Sequence, residues 1–201
     1  GLSGIGMKRP FPEKGAVLRY PMPHSHVAAH TVLRNTQLVA VCDINPEMLQ
    51  AFRDTWDDVY PDARTYTDYR EMIDKEDLDI IQVATPDNRH TDIVVDSANA
   101  GVKHILCEKP LATTLADCDR MLAACEANGA LLSVDHTRRW WPIFHRARAA
   151  IRAGAIGRVM RIVAHMGGPR AMLFRNGTHL IDGILFFAES DPDWVFADLD
   201  E

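Results

Sequence analysis

The chain has 201 residues, of which 47% are hydrophobic and 25% charged, a length that allows one large domain or one domain with part of a second. Its formal net charge of −6 offers no basic stripe to neutralise phosphates, which excludes a nucleic-acid partner. No apolar run approaches the roughly 20 residues that cross a bilayer, so we expect a small-molecule partner and no membrane partner. The four cysteines show no paired short spacing, which favours reduced thiols in a cytoplasmic protein over disulfides or zinc ligands.

Residues 1–6 form a glycine loop, with the sequence Gly-Leu-Ser-Gly-Ile-Gly. In a dinucleotide-binding fold such a loop follows the first strand and lets the backbone approach the pyrophosphate, so Gly4 and Gly6 are candidate cofactor residues. We expect that first strand to precede the loop. Arg9 stands where a third small residue is usual, and the prolines between Met7 and Pro23 preclude a regular helix. An inserted loop is therefore predicted there.

A helix resumes near Ser25, and three histidines lie around its start: His24, His26 and His30. His26 and His30 share a helical face, a spacing that also occurs in metal sites. No carboxylate or cysteine in the sequence completes a convincing set of ligands. We therefore predict no metal site and assign these histidines to helix-start and loop roles.

The next predicted strand covers residues 37–42 and ends at Asp43. A carboxylate at this strand tip can accept hydrogen bonds from both hydroxyls of an adenosine ribose and would repel a 2′-phosphate, which favours NAD while leaving NADP possible. The separation from the glycines exceeds the usual interval of about 20 residues, and the inserted loop accounts for the excess. Alternatively, Asp43 caps the helix that starts at Pro46, a role that Asn45 can also fill.

Strands and helices then alternate as far as residue 134. The predicted elements are a helix over 45–55, a strand over 64–67, a helix over 69–75, a strand from Leu78, a helix over 90–100, a strand from His104, a helix over 115–128 closed by Gly129, and a strand over 131–134. Repeated strand-helix units of this length specify an α/β fold with a Rossmann-type, doubly wound parallel sheet. We assign residues 1–135 to this dinucleotide-binding domain.

Two of these strands end in motifs. The Leu78 strand continues into Thr85-Pro86-x-Asn88-x-His90, and the His104 strand ends in Glu108-Lys109-Pro110-Leu111-Ala112. Ligands of open parallel sheets bind at the carboxyl ends of the strands, so both motifs would face a crevice. Proline lowers the cost of a cis peptide bond, which allows an unusual geometry after Lys109. A lone Glu-Lys-Pro is otherwise typical of a solvated turn with a surface ion pair.

Taken in order, and joined by the Ala-Gly-Val-Lys-His segment that ends the intervening helix, these motifs resemble the Gfo/Idh/MocA family over roughly residues 1–182. The resemblance implies a dehydrogenase that uses NAD(P) to transfer a hydride from or to a hydroxyl carbon of a sugar, inositol or related polyol. Lys109 would polarise the oxygen and help to move its proton, with His179 as the partner acid/base. The cofactor-binding candidates are Gly4, Gly6, Asp43, Thr85, Pro86, Asn88, His90, Glu108 and Lys109, with His90 mainly supporting the loop.

The sequence changes character after Asp135. Cations and aromatic residues concentrate over 136–142, followed by an amphipathic helix predicted over 143–153 and a strand over 158–165. The resemblance implies that residues 136–201 begin an α+β substrate domain, which we expect to be truncated because family members continue with further strands. We expect a homo-oligomer formed through it. Either Arg138 or Arg139 lies near the cleft, or the neighbouring tryptophans pack at the junction and the arginines are solvated.

His179 and Asp182 are three residues apart on the last predicted helix, so they share a face. The family commonly has an aspartate four residues before this histidine, whereas this chain has Arg175, a permanent cation. The substrate-binding candidates are Arg138, Arg139, Arg175 and Asp182. The mismatch leaves two alternatives open: a dinucleotide-binding sensor or regulatory protein without catalysis, and an NAD-using sugar epimerase or glycosidase.

Overall fold

A computed structural model of the chain describes residues 1–9, 25–167 and 173–198. Most of the predicted inserted loop, together with His24, lies outside these residues. The chain divides into two compact units, Gly1–Val134 and Asp135–Glu201.

Helices and strands alternate in the first unit, as the sequence predicts. They are α1 (His26–His30), β1 (Ala40–Cys42), α2 (Pro46–Trp56), β2 (Arg64–Tyr66), α3 (Tyr69–Lys75), β3 (Ile80–Val83), α4 (His90–Asn99), β4 (His104–Glu108), α5 (Leu115–Asn128) and β5 (Leu131–Asp135). A 3-10 turn at Asp87–Arg89 leads into α4. The bounds of α3 and α5 are the predicted ones, whereas the strands predicted from 37 and 78 begin two to three residues later.

Two pairs of strands are parallel, and each pair brings its carboxyl ends to a common edge. In one sheet β1 lies beside β2, with Cys42 opposite Tyr66. In the other, β3 lies beside β4, with Val83 opposite Cys107, and β5 follows on the far side of β4. The residues that come directly after β1, β3 and β4 are therefore the predicted ligand-binding residues.

Side-chain caps fix where the helices begin. The Ser25 hydroxyl accepts a hydrogen bond from the Ala28 N–H at 3.1 Å, and Asn45, Asp68 and Thr114 cap α2, α3 and α5 in the same way. These contacts satisfy N–H groups that have no partner inside the helix. Gly129 closes α5 in the left-handed region with φ of 62°, where glycine carries no steric penalty.

Two buried apolar clusters hold the first unit together. One is built on β3, β4, α4 and α5 and includes Ile105, Val94 and Met121. The other contains Phe52 and also Leu2, so a side chain of the glycine loop is part of the core. Burial of apolar area is the main stabilising contribution to folding, and here it also anchors the loop.

All four cysteines lie in the first unit. Cys42, Cys107, Cys118 and Cys125 are all free thiols. Burial raises the pKa of Cys42 to about 11 and that of Cys107 to about 12. Such thiols stay protonated at neutral pH and pack as small apolar groups rather than act as nucleophiles.

The second unit consists of helical elements in its described part: a 3-10 turn (Thr137–Trp140), α6 (Pro142–Arg152) and α7 (Thr178–Ala188). The helices contact each other through Phe144 and Phe187, whose rings stack 5.3 Å apart. The strand predicted over 158–165 is wrong, because residues 158–167 have no regular secondary structure. A strand is stable only beside another strand, and the described residues after Asp135 provide none. None of the described helices combines the length and apolar character needed to span a bilayer.

Candidate active site

The glycine loop lies against the tips of β1 and β3. The Leu2 N–H donates to Asp43 Oδ2 at 2.6 Å. A Cβ atom placed on Gly1 would be 3.0 Å from the Ala84 carbonyl oxygen and 3.7 Å from Thr85 Cα. Backbone therefore approaches the strand ends with little room for a side chain, which is the geometry that glycine permits.

Gly6 is the most crowded glycine of the loop. Its Cβ position lies 2.4 Å from the Gly1 carbonyl oxygen, so any side chain would displace the loop. The loop continues directly onto α1, because the His26 N–H donates to the Ile5 carbonyl at 2.9 Å and the Val27 N–H to that of Gly6 at 3.0 Å. Gly4 has φ of 57° and open space around its Cβ position, so it serves the turn rather than a close contact.

Asp43 anchors the loop and leaves the capping of α2 to its neighbour. Its Oδ1 accepts from the Asn45 N–H at 2.9 Å, while Asn45 Oδ1 accepts from the Glu47 N–H at 2.9 Å and caps the helix. A carboxylate offers about four acceptor positions. Asp43 uses two of them, one for the Asn45 N–H and one for the Leu2 N–H. The other positions leave acceptor capacity for ribose hydroxyls. The contact with Leu2 is a function of Asp43 that the sequence did not indicate.

At the tip of β3 the Thr85 hydroxyl is buried and has no hydrogen-bond partner among the described residues. A buried polar atom without a partner costs about 1–3 kcal/mol, so such atoms call for an explanation. A polar group of a ligand lying beside the glycine loop would supply one. Pro86 and Asn88, the other candidates on this loop, are exposed.

His90 joins the loops after β3 and β4. Its side chain is 0% exposed. Nε2 lies 2.9 Å from the Thr85 carbonyl oxygen, and Nδ1 lies 3.0 Å from that of Pro110 and 3.2 Å from that of Leu111. The imidazole thus lies between the two loops, shielded from solvent, and a neutral ring can donate to a carbonyl of one loop at a time.

Glu108 ends β4 with its carboxylate held from two directions. Its Oε1 lies 3.0 Å from His26 Nε2, and its Oε2 accepts from the Lys109 N–H at 3.2 Å. Burial opposes ionisation, but the hydrogen bonds from His26 and from the Lys109 backbone outweigh it and hold the pKa of the Glu108 carboxyl below its usual range. Lys109 itself is half-buried, and its peptide bond to Pro110 is cis.

The two described histidines of α1 have separate partners. His26 contacts Glu108, whereas His30 Nδ1 lies 2.9 Å from Thr36 Oγ1 and its Nε2 lies 3.4 Å from Gln82 Oε1. Burial lowers the pKa of His30. We predicted helix-start and loop roles for both from the sequence, which does not indicate the contact of His26 with Glu108.

In the second unit, Arg139 and Asp182 form an ion pair. Arg139 Nε lies 3.0 Å and 3.2 Å from the two Asp182 carboxylate oxygens, and a second nitrogen of the same guanidinium reaches Oδ1. Two parallel charge-assisted bonds make this a strong contact. His179, one turn earlier on α7, lies edge-on to the His136 ring with centroids 5.9 Å apart. The remaining substrate candidates are Arg138, which is half-buried, and Arg175, which is exposed.

The structure therefore brings together the glycine loop, Asp43, Thr85, His90 and the tip of β4 in the first unit. In the second unit it brings Arg139 to Asp182 and places His179 on the same helix. Lys109 and His179 belong to different units. Their convergence on one substrate stays a prediction.

The match to a known family model lies almost entirely within the first unit. The family model described as "Oxidoreductase family, NAD-binding Rossmann fold" matches residues 21–136. A D-apiose dehydrogenase of Paraburkholderia graminis is 38% identical over 133 residues, covering 66% of this chain and 34% of that protein. An inositol 2-dehydrogenase of Salmonella paratyphi B is 32% identical over 140 residues, covering 69% of this chain and 40% of that protein.

A solved structure is similar in both sequence and fold. It is the WlbA dehydrogenase from Bordetella pertussis in complex with NADH and UDP-GlcNAcA, with 34% identity, a TM-score of 0.54, and coverage of 61% of this chain and 34% of that one. The chain thus spans between 34% and 40% of the length of the two curated relatives described above.

Proposed function

The chain belongs to the Gfo/Idh/MocA family of oxidoreductases, and from this premise we propose that it acts as an NAD-dependent dehydrogenase on a CH–OH group of a sugar, inositol or related polyol. The observation that carries the proposal is the meeting of the glycine loop, Asp43 and the buried Thr85 hydroxyl beside the Glu108-Lys109 strand end. Relatives named for D-apiose and for inositol support the substrate class.

The residues at the sheet edge fit a dinucleotide. The crowded backbone at Gly6 leaves no room for a side chain at that position, which suits the close approach of a pyrophosphate to the loop. Asp43 would accept from the adenosine ribose hydroxyls and repel a 2′-phosphate, which favours NAD over NADP. Thr85 would direct its hydroxyl to a polar group of the cofactor. NAD, when bound, supplies the chemistry of accepting a hydride from the substrate carbon.

The protein's own part is to place the substrate hydroxyl and to move its proton. We assign Lys109, at the tip of β4, to donate a hydrogen bond to the reacting oxygen and to stabilise the negative charge that grows on it. His179 would accept the hydroxyl proton through a neutral ring nitrogen. Loss of this proton and of the hydride converts the CH–OH group to a carbonyl. Arg175, in place of the family's usual aspartate, would add positive charge to this region.

The test measures NAD binding by titration calorimetry and NADH formation by absorbance with a panel of sugars and inositols. We expect NAD to bind and at least one polyol to be oxidised. Lys109→Ala should lower kcat by about 100-fold or more, the usual cost of removing a donor that stabilises negative charge developing on oxygen. Lys103→Ala is the matched control, since the exposed Lys103 ammonium lies before β4 and donates to the Asn128 carbonyl. Tight NAD binding without reduction on any polyol, and no effect of Lys109→Ala, would overturn the proposal.

We also propose a homo-oligomer formed through the second unit. Its support is the exposure of large apolar side chains at Phe174, Trp194, Val195 and Phe196, which are 74% to 82% exposed. Large apolar side chains exposed in this way commonly mark an interface. Light scattering on the purified protein should give a multiple of the protomer mass, and a monomer would contradict the proposal. Free cysteines are typical of a reducing compartment, so we propose a cytoplasmic location, which cell fractionation would test.

A further inference from the structure

We propose that His26 and His90 are positioning residues that hold Lys109 from both sides, His26 through the Glu108 side chain and His90 through the backbone of residues 110–111. This inference rests on the proposed function for its catalytic meaning. The contacts themselves belong to the first unit alone.

His26 acts on the residue before Lys109. Both side chains of the His26–Glu108 pair are nearly buried, at 9% and 10% exposed, and 3.0 Å separates Nε2 from Oε1. The other carboxylate oxygen of Glu108 accepts from the Lys109 N–H. The enclosed Glu108 carboxylate is confined to one orientation, because rotation away from His26 would leave a buried charge without that partner. The backbone at Lys109 is therefore tied, through Glu108, to α1.

α1 is itself fastened to the glycine loop. The His26 and Val27 N–H groups donate to the Ile5 and Gly6 carbonyls. The same residue, His26, thus contacts the loop with its backbone and Glu108 with its side chain. A shift of the glycine loop would be passed to the strand end that bears Lys109, which couples the predicted cofactor loop to the predicted catalytic amine.

His90 acts on the residues after Lys109. Each of its ring nitrogens faces a backbone carbonyl, that of Thr85 on one side and those of Pro110 and Leu111 on the other. Whichever ring nitrogen carries the proton, its N–H donates a hydrogen bond to a carbonyl of one of the two loops. The completely buried ring also fills the space between the loops, so they cannot approach or separate without repacking it.

Positioning matters here because Lys109 must reach a reacting oxygen within hydrogen-bond distance. A misplacement of about 1 Å costs roughly 100-fold in rate in comparable cases. The Glu108 carboxylate contacts His26 and the Lys109 backbone N–H, and these contacts fix its orientation beside Lys109. The two histidines would therefore set where the amine lies, without contacting substrate themselves.

The experiment compares His26→Leu and His90→Leu with the donor-retaining His26→Gln and His90→Gln. His30→Leu is the matched control, on the same helix but bonded to Thr36 and Gln82 instead. For each variant, NAD affinity, kcat and the KM for the polyol are measured. The rate of Lys109 acetylation by a water-soluble ester is measured by mass spectrometry, relative to Lys103 in the same molecule. This last readout needs no turnover.

We expect both leucine variants to lower kcat by about tenfold to 100-fold, to leave NAD affinity within about threefold, and to change the relative acetylation rate of Lys109 by about threefold or more. His26→Gln should recover most of the loss, because an amide can still donate to Glu108. His30→Leu should resemble the wild type in kcat and in Lys109 acetylation.

The proposal is overturned if the leucine variants keep both kcat and the acetylation rate of Lys109, or if His30→Leu reproduces their losses. Should His90→Leu fail to fold, the His26 variants decide. A protein that oxidises no polyol would refute the proposed function. The acetylation rates would still test the positioning of Lys109 separately.

Discussion

Replacing Gly6 with alanine tests the glycine loop most sharply. The new Cβ would lie 2.4 Å from the Gly1 carbonyl oxygen, so the loop must move by about 1 Å to restore an ordinary contact. Hydrogen bonds from the loop backbone to a charged phosphate are worth about 1.5–3 kcal/mol each. Losing one of them weakens NAD binding by about tenfold to 150-fold. Titration calorimetry with NAD measures this loss directly.

The control for Gly6→Ala is Gly101→Ala, in the turn between α4 and β4. Gly101 has φ of 95° and nothing within 4 Å of its Cβ position, so alanine there strains the backbone without crowding a neighbour. It should lower stability by about 1 kcal/mol and leave NAD affinity unchanged. An NAD affinity of Gly6→Ala within twofold of the wild type would refute the assignment of this loop to the cofactor.

Three further predictions concern Asp43, the core and Glu108. Asp43→Ala should weaken NAD binding about tenfold or more, since it removes the acceptor for the ribose hydroxyls. It should also reduce the preference for NAD over NADP, because the repulsion of a 2′-phosphate is lost. An unchanged ratio of the two affinities in calorimetry would contradict this. Ile105 is 1% exposed, and Ile105→Ala should lower the free energy of unfolding in urea by about 2–5 kcal/mol. Ile44 is 89% exposed, and Ile44→Ala should change the free energy of unfolding by less than about 0.5 kcal/mol. Equal losses would disprove the assignment of Ile105 to the core. Because the pKa of the Glu108 carboxyl is lowered in the fold, its contribution to stability is present above the unfolded pKa of about 4.3 and is lost as the pH falls through the folded pKa. Thermal melts across acidic pH should therefore decline less steeply for Glu108→Gln than for the wild type, and parallel curves would show that Glu108 contributes nothing.

Local patterns predicted the helices of the first unit well because particular residues mark where each helix begins or ends. Asp68 starts α3, Thr114 starts α5 and Gly129 ends it, and each acts on neighbours within a few residues. The strand predicted over 158–165 failed for the opposite reason. A strand's stability depends on a partner that is distant in sequence, so an alternating pattern alone is insufficient.

The same distinction separates the predicted from the unpredicted parts of the site. Strand ends followed by polar motifs predicted Asp43, Thr85 and the Glu108-Lys109 pair as site candidates, because parallel pairing brings such ends to one edge. The contact between His26 and Glu108 joins residues 82 positions apart, and no spacing in the sequence indicates it. Likewise, Arg139 and Asp182 were predicted separately as substrate ligands, whereas they bind each other.

The most direct test of the whole account is a crystal structure of the protein with NAD and an oxidised polyol bound. We expect a dinucleotide along the glycine loop with its ribose at Asp43, and both Lys109 Nζ and a ring nitrogen of His179 within about 2.6–3.2 Å of the reacting oxygen. A dinucleotide bound elsewhere, or either group more than about 6 Å from that oxygen with no water between them, would contradict it.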